Sequence, residues 1–257
     1  MPNTAAGYYF ADGSTPMSAE DISAAEATAA EAVFSGFQTG NYFFRQTVYF
    51  TATGTFAKAT YPWLRAIRVR LVAGGGAGGG TAATTSFGWA ASGGGGAGGY
   101  AETFITDIAS LSASTTVTVG AGGAPASNAV GGNGGASSFG ALCVASGGTG
   151  GDASADNANN TFFIVQGGAG GAGSTGDFRA QGGAGTPSVG WSRFTTKHFP
   201  GDGGSSQFAG GPKGVPGGVE TAGTKGAGGA GTARSESLPA DSGGAGGAGE
   251  VILELFA

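Results

Sequence analysis

The chain of 257 residues contains a single cysteine, Cys143, and a single histidine, His198. One cysteine excludes a disulfide framework within the chain, and its place in the apolar, strand-like run Phe139 to Ala145 marks it as a small core residue rather than a nucleophile. One histidine excludes a multi-histidine metal centre and leaves His-based triads without support, so His198 reads as a loop contact. Charge is scarce as well: 11% of residues are charged, the net charge is -5, and the basic residues are scattered. Nucleic-acid-binding surfaces are basic, so no nucleic-acid partner is expected. No run approaches the roughly twenty apolar residues of a membrane-spanning helix, and residues 1–10 lack the basic and apolar regions of a secretory signal. Membrane insertion is therefore not expected. Asp152 and Asp156 are too sparse to specify a calcium loop, and no paired carboxylates occupy a recognisable cleft motif. The expectation is a protein that is not an enzyme and uses neither metal nor cofactor.

Glycine is what the chain has in excess, at 58 residues, and with the nine prolines it makes up about a quarter of the sequence. That level borders on the composition of disordered low-complexity chains. Against disorder stand 17 Phe, 6 Tyr, 3 Trp and a hydrophobic fraction of 40%, the opposite of the highly charged, aromatic-poor profile that prevents burial of a core. The chain reads as folded.

Two regions differ in composition. Residues 1–40 are glycine-poor; Ser18 with Asp21 resembles a capping box, and Ala19 to Phe34 forms a helix pattern ended by Gly36. Its apolar stripe of Ile22, Ala25, Ala29, Ala32 and Val33 is too narrow to hold an isolated helix in water. It packs either on its own β domain or on another protein as an attachment or oligomerisation segment. Residues 41–257 form the glycine-rich domain. There the strand Leu64 to Ala73 alternates Ile67, Val69 and Leu71 with Arg68 and Arg70, the period-two pattern of a half-buried strand, and it runs directly into Gly74 to Gly80. Other strand candidates are 41–58 broken at Gly54, Tyr100 to Ile108, Thr115 to Val119, Ser138 to Ala145, Thr161 to Val165 and Val251 to Phe256. If their strands are neighbours, Arg68 and Arg70 face Glu102 and Glu254. Ile67, Val69, Leu71, Phe104, Val117, Val119, Val251, Leu253 and Leu255 are expected to share a core.

Between the strands lie the runs 74–80, 93–99, 131–135, 167–173, 182–185, 226–231 and 243–249. Glycine costs roughly 0.5–1 kcal/mol more than alanine in backbone entropy, so so many of them require a structure in which side chains have no room. Polyproline-II-like segments, with three residues per turn and about 3.1 Å rise, approach one another that closely only through glycine, and seven residues span roughly 22 Å. The expected fold is mostly β: a small antiparallel β-sandwich base with a bundle of polyglycine-II helices, their joining loops, and a short N-terminal helix.

The joining segments carry the aromatic and arginine residues suited to a recognition surface, because they present large contact area at low entropy cost from a rigid scaffold. The candidates are Phe87, Trp89, Phe178, Arg179, Trp191, Arg193, Phe194, His198 and Phe199, with the cluster from Trp191 to Phe199 too dense to serve only as gap filler. Gly74, Gly76 and Gly79 match G-x-G-x-x-G after a strand, but the following T-A-A-T-T-S-F-G cannot supply the helix a pyrophosphate requires.

The order T-V-Y-F-T-A-T-G-T-F-A-K, P-W-L-R-A-I-R-V-R-L-V-A-G-G-G-A-G-G-G, G-G-Y-A-E-T-F, T-V-T-V-G-A-G-G and G-G-A-G-G-A-G-E-V-I-L-E-L resembles the glycine-rich domain at the ends of tailed-bacteriophage tail fibres. It covers residues 47–257 and is similar in style to the distal adhesins of T-even phages. The resemblance implies a receptor-binding protein at the tail tip or tail fibre of a virion, recognising a polysaccharide or outer-membrane protein on the bacterial surface through variable loops. It further implies homotrimer symmetry, and attachment to tail or baseplate proteins through the N-terminal segment. Two other readings stand beside it: a purely structural virion protein such as a head fibre or decoration protein, and an ice-binding or cell-wall glycine-rich protein whose polyglycine face is the active surface.

Overall fold

A computed structural model describes residues 42–158, 162–191, 198–216 and 220–257, with Trp191 described in its backbone only. The chain divides into two units, Met1–Phe43 and Phe44–Ala257. The expected helix from Ala19 to Phe34 lies outside the described residues.

Among the described residues the fold is mostly β, with antiparallel sheets, and the only helical element is one 3₁₀ turn, Lys58–Thr60. In chain order the strands are β1 (Phe44–Phe50), β2 (Gly54–Ala57), β3 (Ala66–Val72), β4 (Ala90–Ala91), β5 (Tyr100–Ile105), β6 (Ser114–Thr118), β7 (Ser137–Phe139) and β8 (Cys143–Ala145). They continue with β9 (Phe162–Val165), β10 (Gly173–Thr175), β11 (Phe178–Ala180), β12 (Ser188–Trp191), β13 (His198–Phe199), β14 (Ala233–Arg234) and β15 (Glu250–Phe256).

Two five-stranded sheets, β1-β15-β3-β5-β11 and β10-β8-β7-β6-β2, form the base. Their inward residues share one core, Ile67, Val69, Leu71, Val251, Leu253 and Leu255 from the first sheet meeting Phe56, Val117, Phe139 and Cys143 from the second. Each fully buried aliphatic side chain contributes roughly 1.5–3 kcal/mol, so this core rather than surface charge holds the base. The expected run Ser138 to Ala145 is two strands, because Gly140 takes φ +52 and turns the chain into a hairpin. A left-handed φ costs a side-chain-bearing residue but not glycine.

On the outer face of the first sheet the register sets Arg68 opposite Glu254 and Arg70 opposite Glu102. The shortest ion pairs run diagonally, Arg68 Nε lying 2.6 Å from Glu102 Oε1 and Arg70 Nη2 2.5 Å from Glu254 Oε1, while Arg68 Nη1 lies 3.6 Å from Glu254 Oε2 directly opposite. Phe104 departs from expectation. It pairs with Arg68 across β3, so strand alternation puts it on this charged face, 42% exposed, with its ring 5.7 Å from that of Phe256. Val119 is partly buried against the core.

The glycine runs leave the base and hydrogen-bond with a period of three. Gly74, Ala77 and Gly80 donate to the carbonyls of Gly135, Gly132 and Ala129; Gly75, Gly78 and Thr81 donate to Gly247, Gly244 and Asp241; Gly76 and Gly79 donate to Gly96 and Gly93. A strand alternates between two neighbours, whereas each of these runs addresses three in turn, and each partner number falls by three, so the neighbours run antiparallel. The run 92–99 repeats the pattern, with Ser92, Gly95 and Gly98 bonded to Thr232, Gly229 and Gly226. The approach is close: a Cβ on Gly76 would lie 2.1 Å from the Thr149 carbonyl oxygen.

Candidate recognition surface

The ends of the glycine runs away from the base gather the small strands. The run 74–80 leads from β3 toward β4, 92–99 returns from β4 to β5, 167–172 connects β9 to β10, and 181–187 connects β11 to β12. At this far end β14 pairs with β4, and β9, β12 and β13 form a three-stranded sheet in the order β13-β12-β9. Ser188 Oγ ties that sheet down by donating to the Ala91 carbonyl at 2.6 Å.

Alternation sorts the small sheet into two faces. Ile164, Val189 and Phe199 are register partners across β9, β12 and β13. They therefore form one row, and Phe162, two residues before Ile164, stands on the same face. Phe162 is 56% exposed, Ile164 50%, Val189 37% and Phe199 53%. Strands lie about 4.8 Å apart, so the row spans roughly 10 Å across the sheet. Apolar side chains at this exposure cost free energy in water, and exposed patches of this kind mark interaction sites.

The opposite face is packed. Phe163 and His198 flank Gly190, and the Phe163 ring lies where a Cβ on Gly190 would sit, 2.1 Å from its Cζ. His198 is 4% exposed and Trp89 8% exposed, their rings 5.1 Å apart. Among the described residues His198 Nδ1 and Trp89 Nε1 have no hydrogen-bond partner. Burial lowers the pKa of His198, because it penalises the charged ring. The loop carrying Trp89 is pinned by Asn157, whose N–H donates to the Trp89 carbonyl at 2.9 Å, and by Asp156 Oδ2, which accepts from the Thr85 N–H at 3.0 Å.

The predicted residues thus separate. Phe87 (63% exposed) and Phe199 present side chains to solvent at the far end, while Trp89 and His198 are buried beneath the small sheet as its support. Phe178 and Arg179 are exposed but belong to β11, which pairs with β5 at the edge of the base sheet. They do not join the others, because residues 174–181 turn between the two base sheets instead of capping the runs. The Trp191 backbone pairs with Phe162, and Arg193 and Phe194 lie outside the described residues. Sequence reasoning missed Ile164 and Val189. Alternation in F-F-I-V was available, but only the pairing register shows that these residues align with Phe199.

The glycines of the G-x-G-x-x-G match donate to protein carbonyls, Gly74 to Gly135, Gly76 to Gly96 and Gly79 to Gly93, which leaves them no N–H for a phosphate. Among the described residues no group of three or more His, Cys, Asp or Glu stands together, and no helix is long and apolar enough to cross a membrane.

A family model for a glycine-rich domain matches residues 51–255, and the chain belongs to that glycine-rich domain family. No curated protein matches the chain.

Proposed function

We propose that this glycine-rich domain protein is a bacteriophage receptor-binding protein of the tail fibre or tail tip, in which a bundle of polyglycine-II helices holds the small sheet as the surface that meets the bacterial host. The polyglycine-II reading is supported by the period of three in the hydrogen bonds of the runs, since that conformation has three residues per turn. The adhesin reading rests on one observation: the exposed apolar row Phe162, Ile164, Val189 and Phe199, carried on a sheet whose other face is packed. A chain that only fills a place in a virion has no need to keep such a row in water at the end of a scaffold. The order of strand and glycine segments resembles that of phage tail-fibre tips, where joining loops contact the receptor. In this reading the receptor is a polysaccharide or an outer-membrane protein, and residues 1–40 attach the domain to the tail or baseplate or assemble it into a trimer.

The test is adsorption of the fluorescently labelled full chain to a panel of bacterial strains. Saturable binding to some strains and not others supports host recognition. Absence of binding to every strain by folded protein favours the structural virion role.

A further inference from the structure

At the base, away from the apolar row, a cavity of about 550 Å³ opens between the end of β5, the loop 106–113, the start of β6 and the turn joining β7 to β8. Its volume falls within the range of small-molecule sites, roughly 300–1,000 Å³. Its walls are held in place without a ligand. Lys58 Nζ donates to the carbonyls of Ile108 at 2.9 Å and Leu111 at 2.7 Å, which fixes the loop, and the Gly140 N–H donates to the Thr116 carbonyl at 2.8 Å, which fixes the turn.

The lining combines hydroxyls, one carboxylate and an apolar wall. Ser112, Ser114 and Thr116 present hydroxyls that have no protein partner among the described residues. Between Ser114 and Thr116, Thr115 is buried, 7% exposed, and alternates to the core side of β6. Asp107 supplies the one carboxylate, oriented by the Ser110 N–H that donates to its Oδ1 at 3.1 Å. Ile105, Leu111 and Leu142 form an apolar wall. We propose that this cavity binds a neutral saccharide of one or two rings. Serine and threonine hydroxyls both donate and accept, as sugar hydroxyls do. A carboxylate accepts from adjacent sugar hydroxyls in short, strong bonds, and the aliphatic wall suits the C–H face of a ring. An anionic ligand is disfavoured, because Asp107 repels it and the nearby ammonium of Lys58 is committed to loop carbonyls. The site is independent of the apolar row, so its failure and the failure of host recognition are separable.

The test is a titration of the ¹⁵N-labelled full chain with methyl α-glucopyranoside, lactose, maltose and sodium acetate, followed by amide chemical shifts. Saturable shifts from at least one sugar, confined to residues 105–116 and 140–142, are expected. Affinity for it should fall by about tenfold or more in both Thr116→Val and Asp107→Asn, equivalent to about 1.4 kcal/mol per tenfold, and stay unchanged in Phe199→Ala. Thr116 is an exposed strand residue, so its variant keeps the fold even if Asp107→Asn loosens the loop. Absence of saturable shifts with all three sugars overturns the proposal. So do sugar shifts insensitive to Thr116→Val, and stronger binding of acetate than of any sugar.

Discussion

Alanine at Gly96 tests whether the glycine runs are required by contact. Its Cβ would stand 2.0 Å from the Ala169 carbonyl oxygen and 2.4 Å from its carbon. Ordinary contact begins near about 3.5 Å, so the two runs must part by more than about 1 Å. Parting them breaks the bonds from the buried Gly168 to the Gly94 carbonyl and from the buried Gly171 to the Ala97 carbonyl, both 2.8 Å. Two buried backbone pairs left unsatisfied cost about 2–6 kcal/mol. The smaller unfolded-state entropy of alanine returns about 0.4–1 kcal/mol. The net loss of about 1–5 kcal/mol is a sizeable part of the roughly 5–15 kcal/mol available to a domain. At about 2–4 °C per kcal/mol it lowers Tm by about 2–20 °C. Gly210 is the control, because it is exposed and a Cβ there meets nothing within 4 Å. Gly210→Ala should lie within about 0.5 kcal/mol of the parent. The assay is urea and thermal unfolding followed by circular dichroism and tryptophan fluorescence. A Gly96→Ala variant as stable as Gly210→Ala would refute the reasoning.

Other expectations follow from buried and paired groups. Cys143 is fully buried and burial pushes its thiol up to about 12, so a thiol reagent should label the folded chain only at the rate of its unfolding, and Cys143→Ser should be destabilised. Burial holds the pKa of His198 below its ordinary 6.5. The stability of its neutral ring is then complete above about pH 6.5 and is lost as pH falls from there toward the folded value. His198→Phe should flatten that slope, read from unfolding free energies between pH 7 and 5. Burial also acts to raise the pKa of Glu102, but hydrogen bonds from Tyr100 and Arg68 outweigh it and bring the group below its ordinary 4.5. Its contribution is therefore present above about 4.5 and lost as pH falls through the folded value. Because Arg68 is well exposed, Glu102→Gln should cost less than about 1 kcal/mol at pH 7 and less still in high salt.

The base was legible in the sequence because period-two alternation in I-R-V-R-L and in V-I-L-E-L assigns both faces of β3 and β15, while their pairing is given by the register of the folded sheet. Phe104 escaped because an aromatic residue in a strand reads as core until its register with Arg68 is known. Glycine runs announced close packing, but the three neighbours of each run are non-local and nothing in G-G-A-G-G selects them. The candidate surface was only partly legible. Aromatic density found Phe199 and its neighbourhood, yet it also drew in Phe178 and Arg179, which belong to the base, and Trp89 and His198, which are buried. Composition marks where apolar area lies along the chain, while alternation and cross-strand pairing decide which of it meets water.

The central claim is that the row on the small sheet is the surface that meets the host. Its direct test is equilibrium binding to a strain that the labelled chain recognises, comparing the parent with an Ile164→Ala/Phe199→Ala double variant and with Gly210→Ala. Both side chains are about half exposed, so the double variant should unfold at nearly the parental urea concentration. The account predicts at least about tenfold weaker binding by the double variant, as expected for loss of two apolar anchors at an interface centre, and parental binding by Gly210→Ala. Undiminished binding by a folded double variant would contradict it.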